Sequence, residues 1–448
     1  MVNRCSGVVE GSRIDHLSAV QTPAVAITPA VPDDSGRVVS SEHTLVAMFA
    51  IALLVMFAAP TRLFFVPFTY QGTYITVIPP NLLDAVWMMV GLALYMRAGK
   101  PSAKAPLAAA GLMILGAVAI TLTNADVPER VLDLVTFNAR LVGGVMVGVL
   151  AARAGIESGL LGSLLMSGTL IVALSTVYLG LVGGAQYDFY AQMQRYGGMG
   201  ISPNEAGIMF AAALNMLPLL FERRPWLGLF APVLLSALLM TGSRTGVLLL
   251  VPGLLFWIPA LVRVARVGGG RAVVGSMVMT TLVAMLGIWL MSQGAAESVA
   301  PVAARLETTA DVSNIGRLEI YLGVPYILAF REPLILLVGA GGSNAAVEWF
   351  LKEVAQIWTS HTHNLVLQFL TAYGLVGLVV AWVFIKPLLR PRRCFPNAES
   401  LGLRWFGLTM VGGQAAQYGM WEIKFLVALT LVVGYVAVIA PRNREGVQ

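Results

Sequence analysis

Two histidines stand two residues apart in Trp358-Thr359-Ser360-His361-Thr362-His363-Asn364-Leu365, where a polar stretch gives way to a strongly apolar one. Imidazole is the side chain best suited to take a proton from a hydroxyl near neutral pH. Thr362 or Ser360 can cap a helix beginning here by accepting from its first free N–H groups, which puts His363 in the first turn. The positive end of a helix disfavours imidazolium, so His363 is expected to stay neutral and to act as a base. A histidine that merely finishes a helix at a membrane surface would occupy the same position.

Three arginines fall on the same side as His363 in the topology drawn below. They are Arg195 in Gln194-Arg195-Tyr196-Gly197-Gly198, Arg244 in the turn Thr241-Gly242-Ser243-Arg244-Thr245-Gly246, and Arg317, which opens Arg317-Leu318-Glu319-Ile320-Tyr321-Leu322. Guanidinium keeps its charge and grips phosphate with two parallel hydrogen bonds, so arginines converging at a membrane surface suit a lipid-linked diphosphate. Taken singly, each could instead cap a helix or reach lipid headgroups. Arg140 is expected at membrane depth, where a charge calls for a function or a partner, and Asp133 is one candidate partner. Glu307 or Glu319 could orient His361 or His363. On a helix the two histidines would point in different directions, and the chain has no P-loop, HExxH or CxxC spacing, so neither a metal site nor a cofactor is expected.

Composition decides what must position these groups. Hydrophobic residues make up 57% of the 448, only 12% are charged, and mean hydropathy is +0.79. Soluble domains carry roughly a quarter charged residues, so a soluble enzyme is excluded. The chain reads as an all-α polytopic membrane protein, because in lipid a helix satisfies its own backbone and the apolar runs are long enough to span about 30 Å. About twelve spans are expected, at 45–59, 81–96, 105–123, 132–152, 159–181, 205–221, 225–240, 246–262, 272–291, 364–385, 401–420 and 424–440. Spans one to nine thus occupy 45–291 and spans ten to twelve 363–440. Between them, 292–362 is expected to form a large helical periplasmic loop. Residues 1–44 read as a disordered cytoplasmic tail and 441–448 as a short one.

Lys and Arg collect in alternate connections, around Arg97, Arg153, Arg223, Arg263, Lys386 and Arg442, and positive residues resist translocation. That side is assigned to the cytoplasm, with both termini inside and the histidines and three arginines facing out. The net charge of +6 is then a topology signal and not a nucleic-acid footprint. Cys5 and Cys394 both fall on cytoplasmic segments, where no disulfide is expected. A twelve-span transporter would share the span count, but such folds place ionisable residues at the midplane and show related halves, whereas here they sit at outer ends.

The sequence His363-Asn364, then nine residues, then Gly374-Leu375-Val376-Gly377 resembles the ligase-type signature of the O-antigen ligase and O-antigen polymerase superfamily of bacterial membrane glycosyltransferases. Pro203-Asn204-Glu205-Ala206, Ser243-Arg244-Thr245-Gly246 and the Pro333 to Gly342 segment are similar to that family too, so the likeness covers roughly residues 180 to 440. It implies a metal-independent, inverting transferase of the membrane C-type architecture in the bacterial inner membrane. Its donor would be a glycan on undecaprenyl diphosphate, and its acceptor a hydroxyl on lipid A core or on another glycan. It further implies His363 as the base and Arg195 and Arg244, with Arg317 as a looser match, as diphosphate ligands. Asn364 would support them; His361, beside the motif histidine, departs from the family pattern, and His361 and Arg140 are supporting candidates on the residues alone. Ligase and polymerase use the same donor and differ in the acceptor, and the sequence does not separate them.

Overall fold

The computed structural model describes residues 35–59, 66–70, 73–77, 82–98, 104–122, 128–182, 186–188, 193–221, 224–253, 312–359, 361–415, 417, 419–420 and 422–439. Of the expected disordered tail 1–44, residues 1–34 lie outside the described residues and 35–44 are instead helical, and the ninth span at 272–291, Glu307, Ser360, Cys5 and the tail 441–448 also lie outside the described residues. The chain divides at His43 into two units, and the candidate site lies wholly in Thr44–Gln448.

Apolar runs without internal breaks become helices: α1 (Ser35–Ala58), α2 (Leu82–Ala98), α3 (Lys104–Leu122), α4 (Pro128–Arg153), α5 (Ser158–Leu181), α6 (Pro203–Phe221), α7 (Phe230–Thr241) and the short α8 (Arg244–Leu248). Then follow α9 (Val312–Phe330), α10 (Pro333–Val338), α11 (Asn344–Trp349), α12 (Leu365–Tyr373), α13 (Leu375–Ile385), α14 (Ala398–Gly413) and α15 (Ile423–Ile439). By length and composition, Val131–Arg153 and Ser158–Leu181 can cross a membrane, and five shorter apolar helices accompany them among the described residues. The expectation of helices alone is corrected in two connections. There Val66–Tyr70 (β1) pairs antiparallel with Thr73–Val77 (β2), and Gln186–Asp188 (β3) with Met193–Arg195 (β4). Branched and aromatic residues favour the first of these hairpins.

The helices pack as membrane helices do, by close backbone approach at small residues. Where α4 meets α15, a Cβ on Gly148 would overlap the Leu431 carbonyl and one on Gly434 the Val145 carbonyl. Alongside, α6 lies against α14 and α7, which leaves the first turn of α6 beside the 414–422 connection from α14 to α15. Lys424 Nζ donates to the Met199 carbonyl at 2.8 Å, and Ser202 N donates to Glu422 Oε1 at 3.1 Å, so the segment entering α6 is fastened to the start of α15.

The expected tenth span at 364–385 is not one helix. It breaks between α12 and α13 at Gly374, whose φ of 61° and ψ of −149° suit only glycine. A Cβ there would overlap the Leu337 carbonyl oxygen of α10. The break frees carbonyls at the end of α12, and the turn 339–342 meets them: Ala340 N donates to Thr371 O at 2.7 Å and Gly342 N to Ala372 O at 2.7 Å. Tyr373 Oη donates to Asn138 Oδ1 at 2.7 Å, and Asn138 Nδ2 donates to Gly342 O at 3.1 Å, which ties this corner to α4.

Candidate active site

Asn364 caps α12, in place of the expected Thr362 or Ser360. The reason is register: an N-cap oxygen serves the second and third helical N–H groups, and Asn364 Oδ1 accepts from Val366 N at 2.9 Å and Leu367 N at 3.2 Å. Thr362 is occupied elsewhere, its N donating to Gln368 Oε1 at 3.0 Å and its hydroxyl to Asn364 O at 2.9 Å. His363 therefore precedes the helix and does not sit in its first turn.

The backbone of His363 has φ of 54°, in the left-handed region that a residue with a Cβ seldom occupies. Such conformations cost of order 1–3 kcal/mol and persist only where neighbours impose them. Here Tyr321 Oη on α9 donates to the His363 carbonyl at 3.2 Å. On the other flank Leu365 N donates to Gln414 O at 2.9 Å, and Asn364 Nδ2 donates to Ala415 O at 2.9 Å. The adjacent pair His363 and Asn364 thus has a division of labour: Asn364 anchors the turn and His363 is presented by it.

The ring is held as closely as the backbone. Nδ1 lies 3.3 Å from Gln417 Oε1, and Nε2 lies 3.5 Å from Thr359 Oγ1. Arg317 Nη2 donates to the same Gln417 Oε1 at 3.2 Å, and Gln417 Nε2 donates to Glu205 Oε1 of α6 at 3.0 Å. Arg317 does not open its helix as expected but lies within the second turn of α9. The loop, not being helical, turns the two histidines toward each other, with ring centroids 4.2 Å apart, contrary to the expectation of divergent side chains.

Burial first, and the Arg317 charge second, push His363 down to about 4, with the Gln417 hydrogen bond opposing them. Burial, then His363 and Arg317, hold His361 well below the ordinary histidine value. Both rings are neutral at pH 7, and these causes replace the helix end invoked from sequence. Burial also raises the Tyr321 hydroxyl, so it remains a donor to the His363 carbonyl.

Arg244 is the first residue of α8. Its neighbour Ser243 caps that helix by accepting from Gly246 N at 3.2 Å and donates to the Asn204 carbonyl at 3.5 Å. This places the start of α8 on the first turn of α6, one residue from Glu205. Arg195 ends β4 and its side chain lies outside the described residues; the segment after it leads directly into α6. The sites of Arg244, Arg317, His361, His363 and Asn364 are thus gathered around the α6 start and the 414–422 connection.

Arg140 does not join them. Its Nε lies 2.8 Å from Asp84 Oδ1 on α2 and its Nη2 2.8 Å from Asp84 Oδ2, a bidentate pair, while the expected partner Asp133 makes no hydrogen bond in that pair but stays within electrostatic reach of the guanidinium. Asp133 Oδ2 instead accepts from Ala345 N at 2.9 Å. Of the two acids expected to orient a histidine, Glu319 is exposed and Glu307 lies outside the described residues. The carboxylate that reaches His363 is Glu205, through Gln417. Neither was singled out from sequence, although Gln414 and Gln417 near the end of an expected span, and Glu205 at the head of an apolar helix, were polar residues needing partners. Among the described residues no three His, Cys, Asp or Glu side chains come together as a metal site.

Residues 228–382 match the family model described as O-antigen ligase. No curated protein matches the chain. The matched stretch contains Arg244, Arg317, His361, His363 and Asn364, while Arg195, Glu205 and Gln417 lie beyond its ends. The domain at 228–382, which carries the histidine turn and two of the three arginines, is thus similar to the O-antigen ligase family.

Proposed function

We propose that the protein is an O-antigen ligase, moving a glycan from undecaprenyl diphosphate to a hydroxyl on lipid A core at the outer face of the inner membrane. The observation that carries this reading is the presentation of His363: a neutral imidazole in a strained turn, its Nδ1 on Gln417 beside the Arg317 guanidinium. Strain of this kind gathers where a side chain must be aimed.

In the proposed reaction the acceptor hydroxyl attacks the anomeric carbon of the donor glycan from the side opposite the diphosphate. The bond from that carbon to the diphosphate oxygen breaks, and its electron pair leaves on undecaprenyl diphosphate. Nε2 of His363 receives the hydroxyl proton. A single displacement inverts the anomeric centre. The leaving diphosphate needs charge stabilisation more than covalent help, and Arg317, Arg244 and Arg195 would supply it. A positioned base adds about 10²–10⁴-fold. The donor supplies the free energy, so no nucleotide, metal or other cofactor is required.

The test is transfer by the purified protein in a lipid bilayer, with an undecaprenyl-diphosphate glycan as donor and either lipid A core or a second donor molecule as acceptor. The expected product is glycan on lipid A core, abolished by His363→Ala and much reduced by Arg317→Lys or Arg244→Lys, because a point charge does not replace a fork of donors. Lengthened donor glycan would make the protein a polymerase instead. Full transfer by His363→Ala would overturn the site.

A further inference from the structure

We infer that Gln417 and Glu205 are positioning residues that fix the tautomer of His363, leaving its Nε2 lone pair toward the acceptor hydroxyl. The inference rests on the proposed role of His363 and deepens it.

Arginine can only donate, so the Gln417 atom at 3.2 Å from Arg317 Nη2 must be the amide oxygen. That assigns the other atom as nitrogen, and a carboxylate oxygen, Glu205 Oε1, sits 3.0 Å from it as acceptor. Reversing the amide would set donor against donor at Arg317 and acceptor against acceptor at Glu205. The same amide oxygen lies 3.3 Å from His363 Nδ1, so Nδ1 carries the hydrogen of the neutral ring. A neutral imidazole has one N–H, and Nε2 is therefore the basic nitrogen.

Thr359 supports the assignment. Its hydroxyl is 3.2 Å from the His361 carbonyl, which can only accept, and 3.5 Å from His363 Nε2. The single hydroxyl proton serves the nearer carbonyl, so it does not saturate the Nε2 lone pair. Among the described residues, the charged or titratable groups around the ring are Arg317 and Tyr321 from α9, His361 from its own loop, and Glu205 from α6 behind Gln417. Only the Gln417 amide contacts Nδ1 in this set. Gln417 is buried, as is Glu205, which keeps water from substituting for either bond.

The experiment measures kcat and donor KM across pH for four proteins in lipid: Gln417→Leu, Gln417→Glu, the exchange variant Gln417→Glu with Glu205→Gln, and His363→Ala. In Gln417→Leu, kcat is expected to fall at least about tenfold, out of the roughly 10²–10⁴-fold that a base supplies, with donor KM changing far less. Gln417→Glu sets two carboxylates against each other and should also lose kcat. The exchange variant restores a donor facing an acceptor, so it should regain transfer over Gln417→Glu. It should also move the acidic limb of the profile to higher pH, since a carboxylate now faces Nδ1. A residue that only fills space would not produce that rescue with that shift, and the exchange variant keeps the test informative should Gln417→Leu fail to fold. Wild-type kcat in Gln417→Leu, or an exchange variant no better than Gln417→Glu, would overturn the inference. If His363→Ala is inactive in the same series, that failure is confined to the relay; if His363→Ala retains transfer, the proposed site falls and the relay with it.

Discussion

The charge beside His363 predicts how activity changes with acid. The ring is held at about 4 against an ordinary value near 6.5, a difference of 2.5 that corresponds to about 3 kcal/mol against imidazolium. Above that value the ring is neutral and able to accept a proton; below it, imidazolium cannot. In the free enzyme, which kcat/KM reports, transfer should be flat from pH 8 to about 5 and fall with a midpoint near 4. A bound diphosphate at Arg317 adds negative charge beside the guanidinium that disfavours imidazolium, and an opposite charge within a few ångströms moves a group by about one to three units toward its charged form. The limb of kcat, which reports the enzyme–donor complex, should therefore lie at least about one unit higher than that of kcat/KM. Arg317→Gln should raise the kcat/KM limb by part of that difference, because burial, the larger cause, remains, and it should weaken donor binding.

The assay is initial-rate transfer at closely spaced pH values, with recovery checked by returning each sample to pH 7. Recovery matters because the unfolded ring binds its proton near 6.5 and the folded ring only near 4. Folded stability from this group is thus complete above 6.5 and is lost as pH falls to about 4. Coincident limbs for kcat and kcat/KM, with no shift in Arg317→Gln, would refute the coupling of this guanidinium to the base.

Two substitutions separate the roles within the turn. Asn364→Ser keeps an N-cap oxygen but loses the bond to Ala415, so stability should fall by about 1 kcal/mol, the worth of one hydrogen bond, and transfer should fall by up to about fivefold as the turn loosens; Asn364→Ala should lose about 1 kcal/mol of stability in addition, and wild-type transfer by the serine variant would mean that the cap alone matters. Gly374→Ala forces a Cβ onto the Leu337 carbonyl at a φ of 61°, so monodisperse protein extracted from membranes should fall sharply, and an unchanged yield and melting temperature would show that α12 and α13 do not need this break.

The helices were legible because apolar length in lipid leaves the backbone one solution: expected spans at 159–181 and 424–440 correspond to Ser158–Leu181 and Ile423–Ile439. The break at Gly374 was visible only as a motif glycine, since hydropathy runs unbroken through Leu375, and its cause is a carbonyl of α10 some forty residues earlier in sequence. At the site, residue types pointed to His363 and to the arginines, but what orients the ring comes from distant sequence. Glu205, Arg317, His363 and Gln417 span more than two hundred residues and meet only because α6, α9 and the 414–422 connection converge. Local rules misassigned the cap for a related reason, as Thr362 is a good capping type drawn off by Gln368 one turn into the helix it was expected to start. Arg140 shows the same limit from the other direction: a charge on an apolar helix signals a partner, and here the hydrogen-bonded partner is Asp84 on α2, while the acid on its own helix is coupled to it only through space. Sequence spacing therefore exposes the groups able to do chemistry, whereas the tautomer and basicity that decide whether His363 does it are properties of contacts between helices.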